Sequence, residues 1–187
     1  MNKKVLIFTD RLKIKTLQVT DITLEYINGL NDLAINKYLV NVRLKRQTHK
    51  TVKEFIKTNL NSSNSLLLGL FTRDKNELIG TIRIHDISYF HYSCSVGICI
   101  FNKKYWGKGC AQEALKKVMK YIFKQLELHY VEVGAYKENK ASVNLFKKCG
   151  FRVTAFFKNK YRHINSFKEV VLLGKMNPKF NYEVLKK

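Results

Sequence analysis

Proline is nearly absent from this chain of 187 residues: Pro178 is the only one, and no Gly/Ser-rich stretch or shift in composition takes its place as a linker. Nothing marks a domain boundary, and the length suits one domain, residues 1–187, able to bury a real core. Acidic residues are scarce too, 14 Asp and Glu against 35 Lys and Arg, for a formal charge of +21. That sign attracts nucleic acid, an anionic membrane or phosphate-bearing small molecules, although a compositional bias spread over solvated faces gives the same total. No run of five or six like charges and no Arg-rich arm is present, so the usual signature of a dedicated nucleic-acid binder is missing. The four cysteines, Cys94, Cys99, Cys110 and Cys149, have no two-residue spacing, which excludes a zinc knuckle or a thioredoxin-like pair. No metal site is expected, and the thiols read as reduced. The apolar stretch within residues 1–12 is broken by Thr9, Asp10 and Arg11, too short for a signal peptide or a membrane span. These absences predict a cytoplasmic protein with no membrane partner.

Periodicity supplies the elements. Residues 11–17 place Leu12 and Ile14 against Lys13 and Lys15, the alternation of a half-buried strand. Asp21 is expected to cap a helix to about Gly29, and Thr51 with Glu54 to form a capping box for a second helix through Leu60. Two apolar runs, 66–71 and 78–84, flank a polar turn and read as a hairpin that residues 94–101 extend into a meander. From Ala111, residues Ala114, Leu115, Val118, Met119, Ile122, Phe123 and Leu126 recur at three-and-four spacing, opposite lysines: an amphipathic helix. A strand at 130–135, a helix at 140–148 stopped by Gly150, and strands at 151–157 and 169–173 complete the pattern. The expected class is α/β, a mixed sheet with helices on its faces.

The segment most informative about chemistry joins a buried strand to the strongest helix: Tyr105-Trp106-Gly107-Lys108-Gly109-Cys110-Ala111. Two glycines let the backbone turn tightly and approach a ligand, so successive N–H groups can point inward as a nest. The helix N-terminus behind them also favours negative charge. The three-glycine dinucleotide pattern fails because Gln112 holds the third place, and no P-loop Gly-Lys-Ser/Thr is present.

This turn resembles the cofactor motif Q/R-x-x-G-x-G/A of the GNAT superfamily of acetyl-CoA-dependent N-acetyltransferases, with Trp106 in first place. The run Trp106-Gly107-Lys108-Gly109-Cys110-Ala111-Gln112-Glu113-Ala114 is similar to the W-G-K-G-Y-A-T-E-A of the branch containing ribosomal-protein-alanine N-acetyltransferases. A second signature, N-x-x-S-x-x-L-Y/F-x-x-x-G-F, resembles Asn139 to Phe151, and Leu78-Ile79-Gly80-Thr81-Ile82 looks like the family's I-G-x-I strand. The resemblance implies one GNAT-like domain with a mostly antiparallel twisted sheet of about six to seven strands and about four helices. Its core would span about residues 10–175, with a short C-terminal extension at 176–187.

The resemblance further implies acetyl-CoA as co-substrate and direct attack of a neutral amine on the thioester. Backbone groups of Trp106, Gly107, Lys108, Gly109, Cys110 and Ala111 would hold the pyrophosphate, and the strand through Ile100 and Phe101 would line the pantetheine. Lys103, Lys104 and Lys108 lie within reach of phosphates or are simply solvated. Asn139 would contact the pantetheine arm and Ser142 would protonate the departing thiolate, although either residue type also caps helices. Many relatives place a tyrosine acid where this chain has Phe146. His85 is the candidate base, with Asp86 and His91 near it and Glu132 as a second choice. Cys110 and Trp106 read as packing residues.

Residues 26–39 resemble the acceptor-side helices of relatives associated with amino-sugar and surface-glycan biosynthesis. The charge suits a nucleotide-linked amino sugar or another phosphate-bearing amine, and would repel a polyamine. Two alternatives stand beside this acceptor. One is N-terminal acetylation of a ribosomal protein, with the charge serving ribosome binding; the other is a non-catalytic acyl-CoA-binding module. Family members are commonly monomers or homodimers.

Overall fold

The computed structural model describes residues 4–163 and 165–186. One eight-stranded sheet runs through it in the order β1-β2-β3-β4-β5-β6-β8-β7. The strands are β1 (Leu6–Phe8), β2 (Leu12–Thr16), β3 (Leu66–Thr72), β4 (Leu78–Ser88), β5 (Ser93–Ile100), β6 (Tyr130–Tyr136), β7 (Arg152–His163) and β8 (Ser166–Met176). Every neighbouring pair is antiparallel except β5 and β6. The helices are α1 (Leu24–Asn31), α2 (Leu33–Asn36), α3 (Val40–Arg43), α4 (His49–Asn61), α5 (Cys110–Lys124) and α6 (Lys140–Lys148).

Strand alternation sends two apolar sets to opposite faces. Ile82, Ile84, Val96, Val131 and Val133 pack beneath α5 and α6, which contribute Ala114, Leu115, Val118, Ile122, Val143 and Phe146. Leu67 and Phe71 join Tyr26, Leu30, Val52 and Ile56 from α1 and α4 on the other face. Burying each large side chain contributes about 1.5–3 kcal/mol, so α5, with four such positions in Leu115, Val118, Met119 and Ile122, is the principal clamp on its face.

The predicted elements are present, with several differences. Thr23, not Asp21, caps α1: its hydroxyl accepts from the Tyr26 N–H at 3.1 Å. The Asp21 carboxylate is instead taken by Lys15 at 2.6 Å and by the Gln18 N–H at 2.8 Å. The capping box of α4 is Thr48 with Thr51, not Thr51 with Glu54, so the helix starts earlier than expected. β1 and the single-turn helices α2 and α3 raise the totals among the described residues to eight strands and six helices. Segments that short carry too few residues for periodicity to show. β4 runs to Ser88, which places His85 within the strand and not in the loop after it. In the C-terminal segment, Phe180 lies in no strand edge; its ring packs 4.8 Å from His129 and 5.2 Å from Tyr92. Asn177 secures that segment by donating to the Leu128 and Phe123 carbonyls. No helix among the described residues is long and apolar enough to cross a membrane.

Candidate active site

The parallel pair β5 and β6 is joined only at Ser93–Tyr130, Cys94–Val131 and Ser95–Glu132. Beyond that row the strands part, while β5 stays paired to β4 as far as Ile100 and β6 to β8 as far as Tyr136. A wedge therefore opens in the middle of the sheet. The Phe101 N–H turns toward β4, bonding Ile79 O at 3.1 Å, so alternation turns the main chain of Ile98 and Ile100 into the wedge. Those groups form an open sheet edge in the interior of the fold, ready to pair with an extended amide-bearing ligand. The Ile100 carbonyl is already engaged, accepting from Trp106 Nε1 at 2.8 Å. That bond clips the glycine turn to the mouth of the wedge.

The turn itself has the backbone the glycines require. Gly107 and Gly109 have φ of 72° and 79°, the left-handed region that costs other residues energy. Gly109 is the N-cap of α5, and neither glycine supplies a side chain to cap the helix. The first-turn N–H groups of α5 therefore face outward at the positive end of a 15-residue helix. Cys110 begins α5 and is buried, as the packing role requires.

Arg11, unnoticed in the sequence, braces this corner. Its Nη1 donates to Lys108 O at 2.8 Å and its Nε to Glu113 at 2.7 Å, and Glu113 also accepts from the Arg11 N–H at 3.0 Å. Burial opposes ionisation of Glu113, but hydrogen bonds from Thr9 and Arg11, with the Arg11 charge, outweigh it and hold the carboxyl below its ordinary value. Glu77 fixes the preceding loop in the same way, accepting from Asn102 Nδ2 at 2.6 Å and Tyr105 OH at 2.8 Å. That hydrogen bond pushes the Tyr105 phenol up to about 12. Lys103 is held by Asp32 at 2.5 Å, whereas the Lys108 ammonium lies 5.8 Å from the Tyr105 ring centroid. Phe101 turns away from the wedge, its ring stacked on Tyr26 at 4.6 Å in the α1-side core.

Across the wedge, Asn139 caps α6, its Oδ1 accepting from the Ser142 N–H at 3.2 Å. Its amide nitrogen and the Ser142 hydroxyl form no hydrogen bond among the described residues, and Ser142 is half-exposed on the first helical turn. Phe146 is fully buried with its ring 5.1 Å from Phe151, so it offers no proton.

The sheet face toward α1 carries the rest of the site. His85, Ser95 and Glu132 are register partners across β4, β5 and β6, so they stand side by side in the last closed row of the wedge. His85 Nδ1 lies 2.8 Å from Asp86 Oδ2, an arrangement that fixes a ring's tautomer and leaves Nε2 as acceptor. His91, by contrast, packs its ring on Phe90 in the loop beyond the strand. One row further into the opening comes Arg83, paired with Gly97. There a cavity of about 430 Å³ begins, roofed by α1, α3 and α4, floored by Thr81, Arg83, Gly97 and Cys99, and walled by Tyr26, Val42 and Phe55. His85 lies just outside its lining. A Cβ on Gly97 would meet nothing within 4 Å, and Gly134 lies two residues beyond Glu132 on β6, past the end of the β5–β6 pairing. Gly97 thus leaves open space on the cavity side of β5, where the wedge begins. Burial pushes the Cys99 thiol up to about 12, leaving it an uncharged part of the floor.

An internal strand edge, a donor-rich glycine turn at one end and a side cavity at the other fit an elongated thioester carrying a pyrophosphate. The acetyltransferase (GNAT) domain family matches residues 11–152. This chain belongs to that family. It is 31% identical over 147 residues to the uncharacterized N-acetyltransferase YoaA of Bacillus subtilis, spanning 77% of this chain and 81% of that one. The ribosomal L7/L12 alpha-N-protein acetyltransferase RimL, solved with coenzyme A, superposes with a TM-score of 0.83 at 13% identity, covering 92% of this chain and 98% of RimL. Spermidine N-acetyltransferase from Vibrio cholerae, solved with CoA and spermine, has a TM-score of 0.79 at 20% identity, covering 92% and 99%. The GNAT chain is an acetyl-CoA-dependent acyltransferase with a mixed α/β sheet, as its motifs implied. The sequence passed over Arg11, Glu77, Arg83 and Gly97 because each acts through a partner distant in the chain.

Proposed function

We propose that the protein moves an acetyl group from acetyl-CoA directly to the primary amine of a small anionic acceptor, a nucleotide-linked amino sugar or a similar phosphate-bearing amine. The wedge with its glycine turn carries this proposal. The N–H groups from Gly107 to Ala111 hold the pyrophosphate, and Ile98 and Ile100 pair with the pantetheine amides, helped by the amide nitrogen of Asn139. The thioester then sits beside Gly97, facing the cavity. Acetyl-CoA supplies the activated acyl group.

The acceptor amine enters from the cavity and must be neutral to attack. His85 Nε2 takes its proton through water, with Asp86 holding the ring, and Glu132 lies beside the path. The amine nitrogen forms the new amide bond as the carbon–sulfur bond breaks. Ser142 donates its hydroxyl proton to the leaving thiolate and is reprotonated from solvent, the role a tyrosine at position 146 would otherwise fill. Holding both reactants in one gap supplies much of the rate.

Charge supports the anionic acceptor. The cavity lining holds Arg83 and Lys45 against Glu54 alone. Of the carboxylates near α1, Asp21 is engaged by Lys15 and Asp32 by Lys103, while Glu25 forms no ion pair among the described residues. A polycation of the kind named for the Vibrio enzyme meets two cationic side chains and one acid in the cavity lining. The fold likeness to RimL favours a second acceptor, the N-terminus of a ribosomal protein. Incubating the protein with acetyl-CoA and each acceptor class, while following free thiol and acceptor mass, decides between them. Acetylation of amino-sugar phosphates supports the first acceptor. Exclusive acetylation of ribosomal peptides overturns it.

A further inference from the structure

Arg83 is held as a fixed fork at the floor of the acceptor cavity. Its Nε donates at 2.9 Å to Asn59 Oδ1, and Asn59 is itself buried and pinned by donating to Phe55 O at 2.8 Å and accepting from Ser65 Oγ at 2.9 Å. The guanidinium carbon sits 5.6 Å from the Phe55 ring centroid. These contacts use one edge and one face of the group. Its two terminal nitrogens make no hydrogen bond or ion pair among the described residues. Arg83 is half-buried and lines the cavity together with apolar residues such as Leu30, Val42, Val52 and Leu67 and polar ones such as Asn41, Gln47 and Thr51. Glu54 also lines the cavity, but it is solvent-exposed and forms no ion pair with Arg83. An immobilised guanidinium with both terminal nitrogens free is shaped to bind one planar or tetrahedral oxyanion through two parallel hydrogen bonds.

Location gives that fork a purpose. Arg83 is the register partner of Gly97, the residue beside which the thioester is placed, so the bound oxyanion lies within one arginine side chain of the reacting carbon. Resting on the acetyl-transfer proposal above, we propose that Arg83 is a specificity-determining residue that binds the acid group, carboxylate or phosphate, of the amine acceptor. The fork orients the acceptor with its amine toward Gly97, and the apolar walls take the carbon skeleton between the two.

The test uses two matched pairs of probes: phenylalanine against phenethylamine, and glucosamine 1-phosphate against glucosamine. Calorimetry with the CoA-bound protein reports affinity, and thiol release reports turnover. At least one acid-bearing probe should bind roughly 10- to 100-fold more tightly than its acid-free partner, the range expected for charge-assisted bidentate hydrogen bonds. Which pair shows the preference distinguishes carboxylate from phosphate. In Arg83→Gln the preference should fall to about 1, and Arg83→Lys, a point charge without the fork, should keep only part of it. The acetyl-CoA KM should stay unchanged in both variants, and the unfolding temperature should fall by no more than a few degrees, the loss expected when the bond to Asn59 is removed. Equal affinity within both pairs, or a preference that survives in Arg83→Gln, overturns the assignment. Because binding is read directly, a failure of acetyl transfer and a failure of the Arg83 assignment give different results.

Discussion

Gly97→Val should make the protein slightly more stable and nearly inactive. Gly97 lies inside β5 with ordinary strand geometry, so valine meets no conformational barrier, and a Cβ built there touches nothing within 4 Å. Glycine in a strand interior costs roughly 0.5–1 kcal/mol relative to alanine, and β-branched residues suit such positions. A gain of that size raises the unfolding temperature by about 1–4 °C in a chain of this length. The same open space lies on the cavity side of β5, where the wedge begins. Two added methyl groups occupy the route by which the amine meets the thioester, and a displacement of about 1 Å at a reacting centre already costs on the order of 100-fold. Calorimetric unfolding combined with a thiol-release assay measures both quantities on one preparation. A stable Gly97→Val protein with wild-type turnover would refute the placement of the reaction beside β5. A fall of many degrees would show that the space is not open.

Asn139→Asp keeps the oxygen that caps α6 but removes the amide donor, so stability should hold while the acetyl-CoA KM rises several-fold; Asn139→Ala should instead lose about 0.5–2 kcal/mol of stability through the cap. Denaturant titration beside steady-state kinetics separates the two. The Glu113 carboxyl lies below its ordinary value of 4.5 in the folded protein, so its contribution to stability is complete above that pH and is lost as pH falls through the lower folded-state value. Thermal unfolding of wild type from pH 6 to pH 3 should therefore fall more steeply than that of Glu113→Gln; parallel curves would remove Glu113 from the acid response.

The elements with the strongest period were legible in the sequence. The α5 pattern of Ala114, Leu115, Val118, Met119 and Ile122 gave a helix that begins at Cys110, one residue before the expectation. The glycine turn was legible because its chemistry is local: two glycines, a buried strand before them and a helix after. β1 was not, since three residues bordering Thr9 and Asp10 show no period and form a strand only by pairing with β2. Helix starts slipped by two or three residues wherever several capping residues compete, as at Thr23 against Asp21 and Thr48 against Thr51. The acceptor side was the least legible. Arg83, Gly97, Asn59 and Phe55 lie far apart in the chain, and only the registers β3–β4 and β4–β5 with the packing of α4 bring them together. His85 stood out as an isolated titratable residue, but its standing beside Ser95 and Glu132 is a product of sheet register.

Thermal unfolding of wild type and Gly109→Asp across an acetyl-CoA titration tests the central claim, that the glycine turn at the mouth of the wedge is the pyrophosphate site. A ligand at a hundredfold its Kd stabilises the folded protein by about 2.7 kcal/mol, or roughly 5–11 °C here. Aspartate tolerates the left-handed backbone better than most residues and suits a helix N-terminus, so the ligand-free variant should unfold within a few degrees of wild type. Its carboxylate, however, occupies the donors the pyrophosphate needs. A wild-type rise that disappears in Gly109→Asp is the predicted result; equal rises in both proteins, or no rise in wild type, would contradict it.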